Sequence, residues 1–98
     1  MPDFRQLISC PTPVLIHFFN ESYPTVNGLD YILESIANEM GSEVRVLNIN
    51  INKNVILSKV MQIKRVPTIM IYKEESLIWR QSGFMTKDLI TNVLRSLS

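Results

Sequence analysis

The residues able to do chemistry are few, and most stand alone. Cys10 is the single cysteine and His17 the single histidine of the 98-residue chain. A thiolate can attack sulfur, but disulfide exchange needs a second thiol to resolve the mixed disulfide. Imidazole can move protons or ligate a metal, yet metal sites need three or four ligands. No second histidine or cysteine lies near His17 in sequence. A Ser22–His17 pair lacks an identifiable orienting carboxylate or oxyanion motif. The favoured reading of His17 is a half-buried strand histidine hydrogen-bonded to a neighbour, with acid–base or ligand work as its alternative. Cys10 is read as a partly buried structural thiol. These residues call for no cofactor, no metal and no catalytic set.

Charge narrows the partners. Lys59, Lys64 and Arg65 form a small basic group, read as solvated helix and loop surface. The formal net charge is +1 and the sequence pI about 7.9, too even for a nucleic-acid footprint or a membrane-surface patch. No apolar run reaches the roughly 20 residues a membrane helix needs. Met1-Pro2-Asp3-Phe4-Arg5 lacks the basic-then-apolar layout of a secretory signal. One unpaired cysteine cannot form an internal disulfide, so a reducing, cytoplasmic setting is the default expectation.

The elements that must position these residues follow from periodicity and punctuation. At this length the chain is one domain, 1–98, with enough core to fold without metal or disulfide staples. Asp3 can cap a short helix from Phe4 to Ser9, which Pro11 and Pro13 end. From Val14 to Phe19 the chain is apolar except at His17, as in a strand covered on both faces. Asn20 to Asn27 is loop and helix entry. Leu29, Ile32, Leu33, Ile36 and Met40 then recur at helical spacing, and Gly41 stops that helix. Val44 to Ile51 is β-branched strand. Asn52 or Asn54 can cap a helix whose apolar positions are Ile56, Leu57, Val60 and Met61. Thr68 to Tyr72 and Leu77 to Gln81 form a hairpin around Lys73-Glu74-Glu75-Ser76. Gly83 breaks the last strand. Thr86 caps a final helix with the stripe Leu89, Ile90, Val93, Leu94 and Leu97. The first two strands, joined by a helix, should be parallel with a right-handed crossover.

Several segments in this order resemble the thioredoxin family. Pro13-Val14-Leu15-Ile16-His17-Phe18-Phe19 is similar to its Pro-Val-Leu-Val-Asp-Phe-Trp strand. Asn50-Ile51-Asn52-Lys53-Asn54 resembles its Asp-Val-Asp-Glu-Asn. Leu57 through Thr68 runs without a gap against its pattern ending in Val/Ile-Pro-Thr, here Val66-Pro67-Thr68. Ser82-Gly83-Phe84 and Thr86-Lys87 match its final glycine and helix start. The resemblance covers almost the whole chain after Pro11. It implies an α/β fold, a thioredoxin-like three-layer α/β/α sandwich: a four-stranded mixed central sheet in a β-α-β-α-β-β-α core, preceded by a short N-terminal helix. It also implies a cis proline at Pro67, whose neighbour Val66 would offer main-chain groups to an extended substrate peptide.

The departures from the family matter as much. Its Cys-x-x-Cys positions read Tyr23 and Val26, the tryptophan before them is Ser22, and its buried aspartate is His17. A phenol has a reference pKa of about 10 and is ionised about one part in a thousand at pH 7, and even as phenolate it forms no disulfide. Val26 has no nucleophile. Cys10 precedes the first strand while Tyr23 follows it, and six strand residues rise about 20 Å, so the thiol is expected at the opposite end of the sheet. The expected function is therefore a redox-inactive module that binds a protein or extended peptide at Tyr23, Pro24, Thr25, Val26, Val66, Pro67 and Phe84, with Met85 nearby. The bland alternative turns Phe84 and Met85 into the core. A thiol–disulfide oxidoreductase using Cys10 and a partner thiol is a second alternative. The family's extra N-terminal strand has no counterpart, which leaves the strand from Val44 to Ile51 as a bare sheet edge; weak homodimerisation or an assembly role through that edge is a third.

Overall fold

The computed structural model describes residues 3–22 and 28–97. The elements are α1 (Phe4–Ile8), β1 (Val14–Phe19), α2 (Leu29–Met40), β2 (Arg45–Asn50), α3 (Val55–Val60), β3 (Thr68–Lys73), β4 (Ser76–Ser82) and α4 (Lys87–Arg95). They follow the expected order, with ends shifted by a residue. The four strands form one sheet in the order β2-β1-β3-β4. β1 runs parallel to β2 and antiparallel to β3, and β3 and β4 form the hairpin.

Why β1 reads as continuously apolar is now plain. Its side chains alternate between two covered faces. Leu15 joins Leu33 and Ile36 of α2, Ile69 and Ile71 of β3, and Ile90 and Leu94 of α4. Val14, Ile16 and Phe18 face the other way, toward Ile8 and the partly buried Leu57 and Met61. Thus α2 and α4 cover one face and α1 and α3 the other. Burying each large apolar side chain contributes roughly 1.5–3 kcal/mol, so this central strand anchors both halves of the core.

The helix ends are set locally. The Asp3 side chain accepts from the Arg5 amide at 3.4 Å, and Thr86 accepts from the Leu89 amide at 3.1 Å. Gly41 ends α2 at φ +54°, with its amide donating to Ala37. Asn54 stands at the N-cap of α3 but does not cap it with its side chain; its amide nitrogen donates to the Asn50 carbonyl instead.

Two expected stripes differ from the structure. Of the expected stripe on α3 and its C-cap, Leu57 and Met61 pack inward beside the buried Ser58, while Ile56 is 81% exposed and Val60 also faces solvent. Ile56/Val60 and Leu57/Met61 are adjacent i, i+4 rows, and a six-residue helix can lay only one row against the sheet. On α4 Leu89 is exposed and Thr91 is buried with Ile90 and Leu94.

β2 has β1 as its one strand neighbour among the described residues, so it is a sheet edge. Arg45 and Asn48 are exposed along it, a charged and polar edge of the kind that discourages strand addition. At the far edge β4 carries an irregularity: Ile71 pairs with Trp79 and Tyr72 with Leu77, leaving Ile78 as an extra residue.

Candidate functional site

Thr68 opens β3 and anchors the turn before it. Its side chain is fully buried. The hydroxyl donates to the Arg65 carbonyl and accepts from Ser82 Oγ at 2.8 Å. One hydroxyl thereby ties the loop to both strands of the hairpin. The Val66–Pro67 peptide is cis. The Pro67 carbonyl accepts from the Gly83 amide at 2.9 Å, which locks the proline turn against the β4–α4 connection. Gly83 sits at φ +85°, a conformation that favours glycine.

These ties leave a cleft of about 250 Å³ lined by Arg65, Val66, Pro67, Gly83, Phe84, Met85 and Leu29. Phe84 stands beside it 64% exposed, whereas Met85 is 3% exposed and belongs to the core. Expectation and alternative are thus split between two neighbours: Phe84 faces out and Met85 faces in. No hydrogen bond among the described residues engages the Val66 amide or carbonyl. Val66, Pro67 and Phe84 are therefore brought together, from segments far apart in sequence. Tyr23, Pro24, Thr25 and Val26 lie outside the described residues.

His17 lies one strand away, paired in register with Ile69 of β3 and Asn48 of β2. It is fully buried rather than half-buried, because α2 covers that face of β1. Its Nδ1 donates to Asn48 Oδ1 at 3.0 Å and lies 3.8 Å from Asp30 Oδ1. Nε2 has no partner among the described residues. Burial pulls its pKa below the ordinary 6.5, outweighing the Asn48 hydrogen bond and the Asp30 charge, which both pull upward. The imidazole is thus held neutral. No cluster of three or more His, Cys, Asp or Glu suited to a metal occurs among the described residues.

Cys10 is half-buried against the α1/α3 side of the core. Its amide donates to the Ile8 carbonyl, which also accepts from Glu75 in the β3–β4 turn. Pro67 precedes the other end of β3, so the thiol and the cleft lie at opposite ends of the sheet, about 20 Å apart along a six-residue strand.

Arg65 is exposed, as expected of solvated loop surface, but it also lines the cleft, which sequence reasoning did not foresee. The signal was its position two residues before Pro67, which commits it to the same turn. Leu29 was read as core alone, and it also floors the cleft.

A four-stranded mixed sheet in the order β2-β1-β3-β4, helices on both faces and a cis-proline turn at its end define the thioredoxin-fold class. The solved structures agree. A point mutant of the Halobacterium salinarum thioredoxin superposes with a TM-score of 0.83 over 96% of this chain and 81% of that one, a likeness of fold at 18% identity. Chloroplastic thioredoxin z superposes at 0.82 with 26% identity over 93% and 82% of the two chains. The Thioredoxin family model matches residues 2–96, and the chain belongs to that family. The thioredoxin of Rickettsia bellii is 31% identical over 69 residues, 70% of this chain and 66% of that protein; the chain spans just under two thirds of that relative. The thioredoxin of Chlamydia pneumoniae is 30% identical over 83% of this chain and 78% of its own. With Cys10 as its single cysteine, this chain is a member without the family's dithiol.

No helix among the described residues is long and apolar enough to cross a membrane.

Proposed function

We propose that this domain is a redox-inactive binding module that holds an extended peptide or protein segment across its cis-proline face. The observation that carries the reading is the Val66 main chain. Its amide and carbonyl are unpaired among the described residues and border a cleft beside Pro67 and the exposed ring of Phe84. An extended segment can add main-chain hydrogen bonds there, and an aromatic side chain beside them supplies contact area. Tyr23, Pro24, Thr25 and Val26 are assigned to the same face through the family resemblance. A reducing, cytoplasmic setting fits the lone thiol.

Disulfide exchange through Cys10 and a partner's thiol is the competing reading, favoured by the names of the relatives. Against it stands the position of Cys10 beside the β3–β4 turn. An insulin reduction assay separates the two. The expected result is turnover no faster than buffer with dithiothreitol alone, unchanged in Cys10→Ser. Activity above that background, lost in Cys10→Ser, would overturn the binding reading. Weak pairing of two copies through β2 is a further reading, favoured by that strand's single neighbour. A purely monomeric sedimentation profile at high protein concentration counts against it.

A further inference from the structure

We infer that the cleft selects peptides bearing a carboxylate side chain, which Arg65 holds next to the residue paired with Val66. The assignment rests on the peptide-binding reading above and adds the chemistry of the occupant.

The lining carries one formal charge. Of Arg65, Val66, Pro67, Gly83, Phe84, Met85 and Leu29, Arg65 alone is ionised, and no carboxylate balances it. Some other cations of the fold are engaged: Arg5 pairs with Glu75, Lys87 with Glu39, and Arg80 donates to the Met61 and Gln62 carbonyls. Arg45, Lys53, Lys59 and Lys64 form no ion pair among the described residues, but none of them lines this cleft. The Arg65 guanidinium has no acidic partner among the described residues. Lys64, next to it in the chain, adds charge of the same sign.

Arg65 is also placed rather than merely present. Its carbonyl is held by the buried Thr68 hydroxyl. Its Nη2 lies 3.4 Å from where a Cβ on residue 83 would stand, an ordinary contact distance, which sets the guanidinium against Gly83 at the cleft wall. A guanidinium presents a planar fork of N–H donors that matches a carboxylate bidentately. In an extended peptide, residues two apart lie on one face about 7 Å apart. An Asp or Glu side chain close to the Val66-paired residue therefore reaches Arg65 without disturbing the main-chain bonds.

The test uses positional-scanning mixtures of heptapeptides, acetylated and amidated so that no terminal carboxylate is present. One position at a time is fixed as Glu, Gln or Lys, and the others are mixtures of Ala, Val, Thr and Leu. Binding to the ¹⁵N-labelled protein is followed at the Val66 and Gly83 amides. At one position the Glu set should bind about three- to tenfold tighter than the Gln set, the size of one charge-assisted contact at a partly open site. The advantage should shrink in 0.5 M salt, vanish in Arg65→Met, and give way to a Lys preference in Arg65→Glu. Equal binding of the Glu and Gln sets to the unmodified protein would sink the carboxylate assignment and leave the peptide-binding reading standing. No response to any set would overturn that reading, and this inference with it. The unmodified protein decides both outcomes, so neither depends on how well a variant folds.

Discussion

Because His17 is buried neutral, the stability of this domain must fall as the solution is acidified through the histidine range. The sign follows from linkage. The unfolded chain has an ordinary imidazole, pKa 6.5, and folding lowers it. Above about pH 7.5 both states are neutral and the group contributes no slope. Between 6.5 and the lower folded value, the unfolded chain binds a proton that the folded chain refuses, so stability drops with falling pH. Below the folded value the slope vanishes again.

The magnitude is bounded by the structure. The ring is fully buried, and its nearest carboxylate, on Asp30, is 3.8 Å away on a side chain 69% exposed, so solvent screens most of that attraction. The Asn48 side-chain oxygen Oδ1 at 3.0 Å satisfies Nδ1 in either charge state, but a proton on Nε2 meets no acceptor among the described residues. If the folded ring stays neutral throughout, acidifying from pH 6.5 to 5.5 costs about 1 kcal/mol, and the slope cannot exceed about 1.4 kcal/mol per pH unit for one proton. The assay is urea unfolding at half-unit steps from pH 8 to 5, on the wild type and on His17→Gln. Carboxylates titrate in both proteins, so the difference between the two curves isolates the histidine. The gap should change by up to about 1 kcal/mol between 6.5 and 5.5 in the direction that penalises the wild type. Parallel curves would refute the reasoning. A wild type that gains on the variant in acid would show that the Asp30 charge outweighs burial.

Two further predictions concern the frame. Glu74 and Glu75 form the β3–β4 turn at φ +49° and +70°, where side chains other than Gly and Asn are disfavoured. Replacing the pair with Asn-Gly should raise stability by about 0.5–1 kcal/mol even though it removes the exposed Arg5–Glu75 pair, read as a higher urea midpoint with an unchanged m-value. On α3, Leu57→Ala should cost about 2 kcal/mol and Ile56→Ala less than about 0.5, a contrast that denaturation of the two variants measures directly.

The legibility of the chain followed how many constraints met at each position. Strand β1 was readable because two core faces demand apolar residues from it at every position but one. The helix around Leu33 and Ile36 was readable because twelve residues repeat one stripe. On α3 two apolar rows lie side by side in six residues, and pattern alone does not say which row the sheet accepts. The Phe84–Met85 pair has the same ambiguity in extended form. Neighbours in an extended segment point to opposite sides, and the turn at Gly83 decides which one enters the core. Here Met85 does and Phe84 does not.

Arg65 shows where pattern reading stops for a physical reason. Burial leaves a trace in composition because the core excludes most side chains, but Thr68 was legible only as the start of a strand and the end of the Pro-Thr pattern; that its buried hydroxyl is satisfied by Arg65 and Ser82 comes from the structure. The residues it holds in place are exposed or half-exposed. They can vary without disturbing the sheet, so the fold leaves little trace of them in the pattern. Loss of the dithiol at positions 23 and 26 belongs with this second group. It takes the thiols from those positions while the Thr68 anchor, the cis-proline turn and the Gly83 tie remain. What stays on this face is a Val66 main chain unpaired among the described residues and an arginine at the cleft wall. Their joint presence is the reason to look for a ligand at this end of the sheet rather than at Cys10.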